Sequence, residues 1–166
     1  MEELLAAGAA GACVNLGGDL RVEGEPQPWV IDVEDPFGGR PATRVGLKGG
    51  AVATSSRLRR AWVGGHHVID PARGRPATTD AVAVTVLAAE AWWAEALATA
   101  ALVAGVEDGL ALIEALGADG LIVDAWGGRH ETSRFRRFTD RPGVLASKSF
   151  RPGKVSTPEG RVEAIP

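Results

Sequence analysis

The sequence predicts an α+β domain in which helices pack on a largely antiparallel sheet. Short apolar runs of strand length recur between Gly- and Pro-rich turns up to residue 87. Helical spacing takes over only later, across residues 88–116. Strands therefore outnumber helices, the helices fall late, and no internal repeat is present, which is the pattern of helices laid on one sheet. At 166 residues, 45% hydrophobic and 23% charged, the chain can bury one real core.

Residues 2–10 carry helix formers and read as the tail of a helix stopped by Gly11. Ala12-Cys13-Val14-Asn15-Leu16 follows as a strand that turns at Gly17-Gly18 into a second extended run, 19–23. Strands at 29–33 and 43–47 flank a Pro/Gly-rich loop and extend these into an antiparallel meander. Residues 51–56 form a strand ending in a polar corner, with the basic Arg57, Arg59 and Arg60 beyond it. The segment 66–71 is a short strand closed by Pro71, and 82–87 is a β-branched, buried one. Helices are expected at 88–103, ended by Gly105, and at 107–116, stopped by Gly117. Residues 120–124 return to the sheet, and Gly127-Gly128 turns the chain into 130–135. The domain is expected to close at 138, with a disordered tail at 139–166 that has no apolar period.

Charge and cysteine usage exclude several functions. A net charge of −3 leaves no basic field for a nucleic-acid backbone. Cys13 is the single cysteine, so no internal disulfide or Cys-rich zinc site can form, and its apolar strand reads as a burial site. The first residues are acidic where a secretory signal is basic, and no apolar run reaches the roughly 20 residues of a membrane span. As written, the chain is expected to be soluble and cytoplasmic, although a missing leader could have directed export.

Four groups of residues could carry chemistry. Glu95 and Thr99 stand four apart on the main helix, so a carboxylate and a hydroxyl share one face and suit Mg²⁺. The same spacing equally fits a surface Glu95 and a Thr99 bonded back to its own helix. His67, ahead of an extended segment with Asp70, has the ordinary character of a general base, although alternation sets the two on opposite faces unless Pro71 bends the strand. Two ordinary histidines facing solvent, or a zinc site from His66, His67 and Asp70, would also account for them. Asn15-Leu16-Gly17-Gly18-Asp19 could bring amides against a phosphate or form only a hairpin turn. Trp92 and Trp93 offer a flavin-stacking surface, but core packing is the expectation. Thr54-Ser55-Ser56 lacks the glycines of a nucleophile elbow, which sets a serine hydrolase aside.

Taken in order, Asn15-Leu16-Gly17-Gly18-Asp19, Ala53-Thr54-Ser55, His67-Val68-Ile69-Asp70-Pro71 with Gly74 and Pro76, and Ala94-Glu95-Ala96-Leu97-Ala98-Thr99 resemble the FAD:protein FMN transferase (ApbE-like) family. The resemblance spans about residues 4–137 and implies a T-fold-like α+β architecture. It also implies a Mg²⁺-dependent transfer of FMN from FAD to a Thr or Ser hydroxyl of an acceptor protein, with release of AMP. Carried over by position, His67 would be the base and Glu95 and Thr99 would hold Mg²⁺. Ile69 would contact FAD, with Asn15, Gly17, Gly18, Asp19, Thr54 and Asp70 completing the cofactor set. Glu95 replaces a more usual Asp, and Ser56 a usual glycine. Only 14 residues precede Asn15, whereas the family's Asp-rich, FAD-binding segment lies well upstream of that turn. The expectation is a carboxyl-terminal portion, either truncated or completed by a second chain. A non-catalytic flavin-binding or interaction module is the alternative.

Overall fold

Gly17 and Gly18 both take positive φ, 70° and 113°, in the computed structural model, which describes residues 1–25 and 28–139. That is the two-residue hairpin geometry whose twist matches the strands on either side. It joins β1 (Gly11–Leu16) to β2 (Asp19–Gly24) in antiparallel register, Leu16 opposite Asp19. The helix before them, α1 (Glu2–Ala6), ends earlier than the sequence suggests, because Gly8 rather than Gly11 takes the left-handed conformation. Gly11 instead opens β1, where a Cβ would overlap the Glu25 carbonyl.

The expected meander breaks after β2. Strands β3 (Trp29–Val33) and β4 (Thr43–Leu47) pair only with each other, while β2 pairs with β5 (Gly50–Ser56). Burial explains the departure. Ile31, Val33, Val45 and Leu47 turn inward and cover Val22, Val52, Leu87 and Leu121 on one face of the main sheet. An apolar sheet face needs such a cover.

Beyond β5, short two-residue strands replace the single strand expected at 66–71. These are β6 (Ala61–Trp62) with β7 (Gly65–His66), and β8 (Ile69–Asp70) with β9 (Arg75–Pro76). The break falls at His67 and Val68, where the His67 amide bonds the Arg60 carbonyl and the Val68 carbonyl bonds the Ala77 amide.

The chain then enters β10 (Ala81–Ala88), buried at every position as a strand covered on both faces should be. Helices α2 (Ala91–Ala104) and α3 (Val106–Ala115) follow, then β11 (Asp119–Asp124) and β12 (Arg129–Glu131). A 3₁₀ turn, Phe135–Phe138, replaces the end of the strand expected at 130–135. Among the described residues the main sheet has the order β1-β2-β5-β10-β11-β12, each neighbouring pair antiparallel.

Helices α2 and α3 cover one face through Leu97, Ala101, Leu102 and Ile113 against Val84, Val86 and Ile122. The β3–β4 pair, Phe135 and Phe138 cover the other. Trp93 packs against the helix-side core, but Trp92 is 62% exposed, contrary to the core role expected for it. Cys13 is also exposed, because β1 is an edge strand and the residue faces outward. The expected tail lies outside the described residues from 140 onward.

Candidate functional site

Strand β5 organises the site, because its alternation sends consecutive side chains to opposite faces. Thr54 Oγ1 lies 2.8 Å from Thr85 Oγ1 on the neighbouring strand, on the face covered by β3 and β4. Ser55 faces the helices, and its Oγ lies 2.7 Å from Thr99 Oγ1 on α2. One peptide step therefore links two differently built environments.

On the Thr54 side a cavity of about 940 Å³ opens, lined by Asn15, Gly17, Gly18, Thr54, Arg59 and Arg60 among others. Asn15 Oδ1 accepts the Gly18 N–H at 2.9 Å, so the turn is at once a hairpin and a cavity wall. Four of the residues expected to contact the cofactor thus meet in one place. Asp19, Ile69 and Asp70 lie outside that lining. Burial raises the Asp19 carboxyl above its ordinary pKa. Asp70 instead shapes a turn. Its Oδ1 accepts the Ala72 N–H at 2.9 Å, and its Oδ2 pairs with Arg73 at 3.3 Å. Ile69 is exposed and pairs with Pro76.

The two histidines differ in what their ring nitrogens meet. His66 Nδ1 accepts the Val68 N–H at 3.3 Å, which fixes the proton on Nε2, and Nε2 donates to the Ala77 carbonyl at 3.0 Å. Both nitrogens are spent on backbone. His67 is exposed, and its Nδ1 faces the Arg60 carbonyl at 3.4 Å. A carbonyl can only accept, so the proton sits on Nδ1 and the Nε2 lone pair is left toward solvent. That is the tautomer a general base needs. Because His66 is committed in this way, the trio His66, His67 and Asp70 is not a zinc site, and no cluster of three metal-ligating side chains occurs among the described residues.

Glu95 is exposed on α2, one turn before Thr99, and neither lines the large cavity. The Thr99 hydroxyl bonds Ser55 across to β5. With Glu95 these are all hard oxygen donors. Hydroxyls 2.7 Å apart are close to the separation of adjacent vertices, about 3.0 Å, in an octahedron with Mg–O bonds of about 2.1 Å. The donor set fits Mg²⁺. Ser55, weighed from the sequence only as a hydrolase nucleophile and set aside, is the oxygen donor missing from the expected metal set; strand alternation opposite a helix was the signal that could have found it.

A family model described as the ApbE family matches residues 1–122. The FAD:protein FMN transferase of Vibrio cholerae serotype O1 is 36% identical over 111 residues, covering 61% of this chain and 33% of that protein. The FAD:protein FMN transferase of Treponema pallidum is 35% identical over 130 residues, 68% of this chain and 36% of that one. This chain thus spans about a third of the length of these curated relatives. The crystal structure of the ApbE protein from Thermotoga maritima superposes with a TM-score of 0.72 at 36% identity, covering 78% of this chain and 45% of that chain. No helix among the described residues is long and apolar enough to cross a membrane. With the family model matching well over half of its length, this chain belongs to the ApbE family.

Proposed function

We propose that the chain carries the base-bearing and metal-bearing part of a flavin transferase that moves FMN from FAD to a Thr or Ser hydroxyl of an acceptor protein. The observation that carries this reading is His67, whose Nδ1 is held by the carbonyl of Arg60, a residue that lines the large cavity. In the reaction, Nε2 takes the proton of the acceptor hydroxyl as its oxygen attacks the FMN phosphorus. The pyrophosphate P–O bond breaks, and AMP leaves with the bridging oxygen. Such a transfer needs positioning and charge neutralisation more than a covalent enzyme intermediate. Glu95, Thr99 and Ser55 would hold Mg²⁺, which supplies neutralisation of phosphate charge. The cavity formed by Asn15, Gly17, Gly18 and Thr54 would orient the nucleotide, and Asp19, Ile69 and Asp70, outside its lining, would meet only the parts of the cofactor that extend beyond it.

Thermal unfolding with FAD and Mg²⁺, together and separately, tests the reading. At about 100 times the dissociation constant, ligand should stabilise the protein by roughly 2.7 kcal/mol. Glu95→Ala should lose the part that needs Mg²⁺, whereas His67→Ala should keep the stabilisation and lose transfer to an acceptor. A folded chain that neither ligand stabilises would sink the proposal and favour an interaction module.

A further inference from the structure

Two threonine hydroxyls meet at the floor of the large cavity, and only one of them reaches it. Thr54 on β5 lines the cavity, whereas Thr85, directly opposite on β10, is 3% exposed and lies outside that lining. Their Oγ1 atoms are 2.8 Å apart, so the proton of one hydroxyl lies between them.

The surroundings decide which proton it is. On the same face of the sheet Thr85 has Leu121 opposite it on β11 and Leu87 two places along its own strand, both buried and apolar. Thr54 is the one hydrogen-bond partner of the Thr85 hydroxyl among the described residues. A hydroxyl has one proton to give and two lone pairs to receive with. If Thr54 donated, the Thr85 proton would be buried with no acceptor, which disfavours that arrangement by roughly ten- to a hundredfold. If Thr85 donates, its proton is satisfied and that of Thr54 is spare, on a side chain that faces the cavity.

The contact that results has a fixed polarity. Ser56, the next residue on this face of β5, accepts the Leu58 N–H at 3.2 Å, so its proton is spare as well. Each of these hydroxyls has a lone pair occupied by the protein and its proton left for the cavity. A floor of this kind favours a ligand that brings lone pairs to it.

Resting on the transferase reading above for the identity of the ligand, we infer that Thr85 is a positioning residue. Without touching the flavin nucleotide, it sets Thr54 as a hydrogen-bond donor to an acceptor atom of it, a phosphate oxygen, a carbonyl or a ring nitrogen.

Calorimetric titration of the full chain with FAD in the presence of Mg²⁺ tests this as a double-mutant cycle. Thr54→Val should weaken binding about tenfold, and Thr85→Val about fivefold although it leaves the cavity lining unchanged. The double variant should bind no worse than Thr54→Val alone, and Thr85→Ser, which restores the donor, should bind within about twofold of the parent. A Thr85 of structural importance alone would lower the urea midpoint without moving affinity, or weaken binding equally with and without Thr54; either result overturns the inference. In the ligand-free chain, NMR should show a slowly exchanging hydroxyl proton that belongs to Thr85. A protected proton assigned to Thr54, or none at either residue, overturns the inference as well. If the Thr85 proton is found but FAD does not bind the unsubstituted chain, the donor at the cavity floor stands and the flavin reading falls.

Discussion

Adjacent histidines with identical chemistry hold different roles because their nitrogens meet different atoms. His66→Ala removes two backbone partners and should destabilise the protein by about 1–2 kcal/mol in urea unfolding. His67→Ala should change stability by no more than about 0.5 kcal/mol, yet slow single-turnover transfer by roughly 10²- to 10⁴-fold. Asp124 makes a similar case at the end of β11. A hydrogen bond from His130, with further ones from the Trp126 and Gly128 amides, holds its carboxyl below the ordinary pKa. A depressed native pKa stabilises the fold above the unfolded value, and the effect is lost as pH falls through the native one. Urea midpoints of the parent and Asp124→Asn should therefore differ at neutral pH and converge below the ordinary carboxylate range. At this scale the sequence made His67 and the pair Glu95 and Thr99 visible as types with suitable spacing. It could not separate His66 from His67, since tautomers depend on carbonyls brought in from residues 60 and 77.

Elements were legible where one period dominates. Strand β10 stands out because β-branched residues fill a short run, and α3 because Gly105 and Gly117 frame it. The start of α2 was displaced from 91 to 88 because alanines satisfy both strand and helix patterns, and Ala88 goes to the sheet opposite Ala51. Close packing between α2 and α3 depends on Gly109, where a Cβ would sit 2.7 Å from the Ala101 carbonyl oxygen and 3.0 Å from Ile122 Cδ1. Backbone cannot yield as a flexible side chain does, so Gly109→Ala should force the helices apart at a cost of about 1–3 kcal/mol, despite alanine's better helix propensity. Chemical denaturation of the purified variant gives the number.

For the whole molecule, the α+β class follows from the count and order of short runs, and the sheet is antiparallel as that count suggests. The departure of β3 and β4 from the meander was not legible, because local pattern marks a strand but not its neighbour. Pairing was decided by an apolar sheet face that only the assembled fold presents. That departure has a further meaning in time. The β3–β4 pair shares no ladder with the main sheet, so its opening breaks no rung between β1 and β12; it must break instead the apolar contacts beneath it and the bonds from Arg129 to Ala42 and Asp35. Such sub-global openings cost less than global unfolding. Ile31 and Val33 also wall the large cavity, so an opening of this pair would change that cavity without breaking a rung of the main sheet.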